Sequence, residues 1–460
     1  MLGPCIELAL SLGWNQPFSI YKYLASEERT LEMFFLEHSL RTSSTVFAGA
    51  MLLWSHYVES RQLARNNNEK LPKGLTGIIT KDTFVKAQRY NKEKRVFRLV
   101  NSSLSFVLDL VILFYVSPFL FVQALSWSGH SEVYATIIWS LLSSVLGMLI
   151  ALPMQAYSDF VIEERNGFNK KTMGLFVTDA LKGLSLNVVF TLILVPCLLW
   201  VVKWAGPNVH WWVWGFAQTV LIIFIFIFPV WIQPLFNKFE PLQDEALRGE
   251  IEQLAIDHSF PLTKLFQVDG SKRSSHSNAY LIGFWKNKRI VLYDTLLTLP
   301  RPQILAVLCH EIGHWYYSHM LLNLLLTSAY LLAQFWSYSI FVVHYGDKLL
   351  ADFGFPMLEG KIPFLVGLTL FGKIFAPCDE MYRLFMTVLS RKFEFQADSF
   401  AANAGRGKDL GLALKSMQND NLSEMDPDWL YSWVSYSHPP LLERLRAIEP
   451  SKKTRKMKAQ

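Results

Sequence analysis

The chain is poor in charge and in cysteine. Only 18% of its 460 residues are Asp, Glu, Lys or Arg, against about 25% in an ordinary soluble domain. That deficit excludes a disordered chain and a charge-laced coiled coil. The four cysteines, Cys5, Cys197, Cys309 and Cys378, lie far apart and form no CxxC pair, so neither a disulfide framework nor a cysteine-ligated metal site is indicated. No basic stretch precedes the first apolar run, which Pro4 and Glu7 interrupt. A secretory signal peptide is therefore not expected, and entry into a membrane falls to an internal helix. No internal repeat or low-complexity segment is evident. A net charge of +6 calls for no nucleic-acid partner, since basic residues also collect beside cytoplasmic membrane faces.

What the chain does have is apolar surface: 51% hydrophobic and 14% aromatic residues. A bilayer span needs about 20 mostly apolar residues, and seven segments qualify, near 42–58, 102–128, 132–157, 183–204, 211–235, 320–345 and 362–388. The expected fold class is an all-α polytopic membrane protein with seven transmembrane helices and a cytosolic catalytic portion. Four regions follow. Residues 1–235 form an N-terminal membrane region of five helices, and 236–319 a cytosolic catalytic segment. Residues 320–389 supply two further spans, and 390–460 a cytosolic C-terminal segment with a basic tail. Lys and Arg counts set the orientation. The 59–101 connection carries eleven, 158–182 four and 346–361 two, whereas 129–131 and 205–210 carry none. This alternation places both long polar stretches in the cytosol. Asn101-Ser102-Ser103 and Asn421-Leu422-Ser423 are then glycosylation sequons on the wrong side to be used. Lys456 and Lys458 have the spacing of an endoplasmic-reticulum retrieval signal.

The segment Ile304–Trp315, ILAVLCHEIGHW, contains H-E-x-x-H: His310, Glu311 and His314. Residues four apart share a helix face, so the two imidazoles can grip one metal ion. Zinc in that grip lowers the pKa of a bound water towards about 7, and Glu311 stands where its carboxylate can take the proton. A catalytic zinc site needs a third protein ligand. Tyr317 and Met320 occupy the positions where a metzincin has Gly and His. No acidic residue lies between His314 and Asp347, so the third ligand comes from beyond the next span. Asp379 and Glu380 are alternatives, but they sit inside the last span with Arg383 one turn away. Glu394, in SRKFEFQADSF, is the better candidate, at the cytosolic end of that helix. Asp398, four residues on, suits the role of orienting a ligating histidine. His319 leaves the ligand face and is given no metal role. Asn278 to Trp285 and Arg289 to Tyr293 read as strands around a Lys286-Asn287-Lys288 turn. An edge strand beside the metal can bind peptide by β-augmentation.

These motifs resemble those of the eukaryotic type I CAAX prenyl proteases. The likeness covers most of the chain after about residue 150. It includes FVIEERNGFN (160–169), FPLTK (260–264), GSKRSSHSNAY (270–280), the H-E-x-G-H-W core, LSRKFEFQAD (389–398) and YSHPPLLERL (436–445). The first hundred residues match only in layout. The resemblance implies seven helices enclosing a water-filled chamber, with zinc held by His310, His314 and Glu394 and with Glu311 as base. It implies that Asn278, Ala279 and Tyr280 bind substrate, and that His438 and Arg444 stabilise the oxyanion as donors. The substrates it implies are isoprenylated CaaX proteins, trimmed of their last three residues and in some cases cut again upstream. The partner environment is the lipid bilayer, of the endoplasmic reticulum or inner nuclear membrane. In one departure, only Leu297 to Gln303 precede the catalytic helix, where some members carry an insertion. A quality-control protease for misfolded or translocon-trapped proteins is the rival enzyme. A transporter or scaffold with structural zinc is the rival outside enzymes. Lys373, Asp379, Glu380 and Arg383 form an ionisable cluster in the last span, where such groups face a bundle interior or watery cavity.

Overall fold

A computed structural model describes residues 39–283, 288–358 and 361–449, and the structural statements below concern these. The basic tail and the Trp285-Lys286-Asn287 part of the expected turn lie outside them. Helix α1 (Leu40–Asn66) is followed by α2 (Lys81–Val111), whose first turn is capped by Thr80 Oγ1 accepting from the Thr83 N–H at 3.2 Å. The helix runs on through a π turn at Ile112–Val116 into α3 (Ser117–Trp127). Pro118, which has no N–H to continue the ladder, sits just past that turn. Next come α4 (Glu132–Tyr157), with a π turn over Ser158–Glu163, then α5 (Met173–Ala205) and α6 (Val209–Ile227). Gly206, at φ 57°, makes the reversal between α5 and α6, a left-handed conformation that favours glycine.

After α7 (Gln233–Phe236) the chain leaves the long helices. Strands β1 (Phe239–Pro241), β2 (Leu262–Val268), β3 (Ala279–Ile282) and β4 (Lys288–Tyr293), with α8 (Glu245–Asp257) between β1 and β2, form a four-stranded sheet in the order β1-β2-β4-β3. β2 and β4 are parallel, and the outer pairs are antiparallel. Then follow α9 (Arg301–Tyr316), α10 (His319–Phe353), α11 (Phe364–Ala401), α12 (Gly407–Asp420), α13 (Trp429–Ser435) and α14 (Leu441–Ile448). Leu254, Ile290, Leu292, Leu308 and Ile312 are buried together where α8, α9 and the sheet meet.

The long helices pack in sequence around a ring: α1 on α2, α3 on α4, α4 on α5, α5 on α6, α6 on α10, α10 on α11, and α11 back on α1. Four helical stretches are long and apolar enough to cross a membrane: Lys81–Trp127, Glu132–Glu163, Met173–Phe236 and His319–Phe353. The third folds back on itself at Gly206, so it contains both α5 and α6. α1 and α11, expected as the first and last spans, fall short of that measure because polar and charged side chains dilute them.

The sheet differs from expectation. The sequence pattern puts Lys288 in the turn of a two-stranded hairpin, but it opens β4 and is buried, its Nζ donating to the Gly283 carbonyl at 2.7 Å. The cause is β2. Its parallel register, Leu262 opposite Lys288, draws that residue into the ladder. β3 is nonetheless an edge strand of the sheet.

Candidate metal centre

Two helices supply the centre. His310 and His314 project from α9 and Glu394 and Asp398 from α11, both pairs four residues apart. Gly313 lets these helices approach closely. A Cβ there would lie 3.0 Å from Phe400 Cβ and 3.1 Å from Ala397 Cα. Donor atoms of His310, His314 and Glu394 fall within 4.8 Å of one another. The two Nε2 atoms stand 3.2 Å apart, and Glu394 oxygens lie 3.6 Å from His310 Nε2 and 3.4 Å from His314 Nε2.

These spacings fit a bound ion. Bonds of about 2.05 Å in a tetrahedral site place ligand atoms about 3.3 Å apart. Glu394 Oε2 is also buried without a hydrogen bond, although His438 Nδ1 stands 2.9 Å away, out of hydrogen-bond alignment. A buried acceptor beside two facing imidazole nitrogens is a donor set that a cation satisfies. Asp379 and Glu380 do not join it. Asp379 pairs with the Tyr330 hydroxyl and Glu380 with Arg383.

The surrounding groups fix the ligand orientations. Asp398 Oδ1 lies 2.9 Å from His310 Nδ1, which leaves Nε2 with its lone pair free towards Glu394. Arg444 donates to both Asp398 oxygens at 2.8 and 2.6 Å and stands 3.4 Å from Glu394. His314 has a relay that sequence reasoning missed. Its Nδ1 lies 3.0 Å from His319 Nδ1, whose Nε2 lies 2.9 Å from Gln396 Oε1. His319 is buried and stacked on Phe393 at 4.0 Å. The only signal in the sequence is a histidine five residues after His314, off the ligand face, at what the structure makes the first residue of α10.

The electrostatics favour ionised carboxylates. Burial pushes the Glu394 and Asp398 carboxyls up, but their neighbours win. His314 and His438 hold Glu394 far below the usual range, and Arg444 with His310 lowers Asp398. The Glu394 carboxylate raises the exposed His438 imidazole, with Arg444 opposing and Glu311 adding to the rise. Glu311 itself is half-buried and makes no side-chain hydrogen bond or ion pair among the described residues.

Strand β3 packs beside α9. Ala279 and Tyr280 pair with Leu292 and Val291 of β4, and the Asn278 carbonyl accepts from the Tyr293 N–H at 3.1 Å. The Tyr280 hydroxyl accepts from Gln233 at 3.1 Å, and Asn421 Oδ1 accepts from the Ser277 N–H at 3.2 Å. The strand's other edge carries no partner strand among the described residues.

Two histidines on one helix, a glutamate from a second and an unpaired glutamate beside them, on a predominantly helical membrane scaffold, define an integral-membrane metallopeptidase. Residues 60–238 match the family described as CAAX prenyl protease N-terminal, five membrane helices, and residues 241–452 match peptidase family M48. The CAAX prenyl protease 1 homolog of Arabidopsis thaliana is 40% identical over 88% of this chain and 96% of its own length. CAAX prenyl protease 1 of Saccharomyces cerevisiae is 36% identical over 88% and 94%. The crystal structure of S. mikatae Ste24p superposes with a TM-score of 0.85 at 33% identity, over 90% of this chain and 100% of that one. The chain belongs to the CAAX prenyl protease 1 family of M48 peptidases.

Proposed function

We propose that this protein is a zinc endopeptidase that removes the last three residues of isoprenylated CaaX proteins. The observation that carries this reading is the convergence of His310, His314 and Glu394 beside an unpaired Glu311, in a chain 40% identical to a CAAX prenyl protease 1 homolog. A donor set of two imidazoles and a carboxylate, with spacings of 3.2, 3.4 and 3.6 Å, favours zinc. When bound, the ion supplies Lewis acidity that polarises a peptide carbonyl and acidifies water.

The chain's own residues do the rest. Glu311 takes a proton from the attacking water and later returns it to the leaving amine. His438, exposed and made more basic by Glu394, donates to the developing oxyanion. Arg444 was expected to share that role. Its guanidinium is engaged by Asp398 and Glu394, so we assign it to holding both carboxylates in place. The free edge of β3, at Asn278, Ala279 and Tyr280, takes the substrate as an added strand and sets the scissile carbonyl over the metal.

The ring supplies seven spans in this reading, with α2 and α3 together forming one, and these enclose a water-filled chamber. α11 is a span despite its polar residues, because Lys373, Glu380 and Arg383 face that chamber, and α1 is a span because it closes the ring between α2 and α11. The division at 235, 319 and 389 separates membrane from cytosolic regions. The metal centre faces the cytosol or nucleoplasm from the endoplasmic-reticulum or inner nuclear membrane. A prenyl chain suits such an enclosure, at about 0.8 kcal/mol per buried methylene.

Mass spectrometry of a farnesylated CaaX peptide incubated with purified protein tests the function. Loss of the last three residues is expected, with kcat/KM falling sharply when the farnesyl group is omitted. Equal turnover of both peptides would favour general proteolysis instead.

A further inference from the structure

Helix α2 presents opposite faces to two cavities. Asn91, Lys94, Arg95 and Arg98 line a cavity of about 400 Å³ that also holds His438 and Arg444. Arg89, Lys92, Val96, Phe97 and Val100 line a larger one of about 770 Å³. At about 100° per residue the two sets stand about 180° apart on the helix. The larger cavity therefore faces away from the metal centre. Its second wall comes from the end of α4 and the residues just past the π turn beyond it, through Met154, Tyr157 and Arg165.

Both walls change character in the same direction. Phe97 stacks on Tyr157 with centroids 5.4 Å apart, and Glu93 pairs with Arg165, so the walls run antiparallel. Apolar side chains of α2 thus meet apolar side chains of the other wall, and the cationic end meets Arg165. At the apolar end Val96 and Val100 are exposed, on a helix long and apolar enough to cross a bilayer. At the other end three cations outnumber the one carboxylate, Glu93. Arg89 reaches only an exposed Glu69 at 3.1 Å, and Lys92 has no anionic partner among the described residues. An apolar groove of this volume with a few convergent charges has the make-up of a small-molecule site.

We propose that this groove binds one anionic phospholipid from the leaflet nearer Lys92. The phosphate-bearing headgroup sits among Arg89, Lys92 and Arg165, and an acyl chain lies along Val96, Phe97, Val100 and Met154. Basic pockets between membrane helices bind anionic headgroups in this way. The proposal rests on the reading that α2 and α4 cross the membrane. A prenyl chain is a poorer occupant, because it is neutral and the groove lies on the wrong side of α2 from His438.

The test is native mass spectrometry of delipidated, full-length protein titrated with phosphatidylserine or phosphatidylcholine. One phosphatidylserine should bind, at least tenfold more tightly than phosphatidylcholine. Lys92→Gln and Arg89→Gln should each weaken it about fivefold, and Phe97→Ser should weaken both lipids. Equal binding of the two lipids overturns the proposal, as does unchanged affinity in Lys92→Gln. Equally tight binding of soluble glycerophosphoserine overturns the lipid assignment, as does photocrosslinking of a farnesyl probe to Phe97. Binding is read by mass rather than turnover, so it stands or falls separately from cleavage of the farnesylated peptide.

Discussion

At the scale of single residues, the proposed mechanism separates groups that would hold the ion from a group that would move a proton. Glu311 makes no side-chain hydrogen bond or ion pair among the described residues, so Glu311→Ala should abolish cleavage while leaving metal content and thermal stability near wild type. Retained cleavage in that variant would sink the mechanism. Glu394→Ala leaves two histidines and should strip the metal, as read by elemental analysis of purified protein. Asp398→Asn and His319→Ala alter only groups that orient His310 and His314. Such partners are worth about 10–100-fold in metal affinity or activity, so both variants should bind metal at saturation with reduced turnover. If His319→Ala matches wild-type affinity, the relay through Gln396 contributes nothing. Stoichiometric metal in Glu394→Ala with loss in Asp379→Ala would mean the third ligand lies deeper in the membrane.

At the scale of elements, the centre depends on how closely α9 approaches α11. Gly313 sits at the contact, with Phe400 and Ala397 at about the distance where an added Cβ forces movement. Overpacking of this kind costs about 1–3 kcal/mol. Gly313→Ala should therefore lower Tm and metal affinity together, because separating the helices pulls Glu394 from the histidines. A variant with unchanged affinity would show that the backbone absorbs the methyl. The elements are unevenly legible in the sequence. The 3.6-residue helical period alone puts His310 with His314, and Glu394 with Asp398, on shared faces. Long apolar runs likewise mark the helices between them. The sheet is half hidden. β2, Leu262–Val268, carries Thr263, Lys264 and Gln267 among its apolar residues, a pattern too mixed to announce a strand. Without it the parallel partner that buries Lys288 cannot be foreseen. The reach of α2 past the expected span is equally obscure, since its first twenty residues are highly charged and some of their partners, among them Leu422, Glu424 and Tyr431, lie more than 300 residues away.

At the scale of the whole molecule, those distant partners explain why the first helices and the C-terminal segment behave as one structure. Arg95, almost completely buried, donates to Glu59 of α1 at 2.8 Å, to Asn66 at 2.7 Å and to Glu424 at 2.6 Å. Its guanidinium also lies over the Tyr431 ring, 4.2 Å from the centroid. Arg98 bonds Glu59 and the Tyr431 hydroxyl, and Arg61 forks onto Asp428, which caps α13. The segment so braced leads directly into His438 and Arg444. Arg95 is the one cation paired with Glu424 among the described residues, and removing one member of a buried ion pair costs roughly 3–5 kcal/mol by leaving charge uncompensated. Arg95→Leu should therefore lower Tm and reduce cleavage, though it lies on α2 and contributes no ligand to the metal. The double change Arg95→Leu, Glu424→Leu removes the stranded charge, while Glu59 keeps Arg98, and should recover much of that stability. If the double variant regains Tm but not turnover, the network aims His438 as well as holding the fold. If Arg95→Leu matches wild type in both, the C-terminal segment is held by its packing on α11 and the network is dispensable.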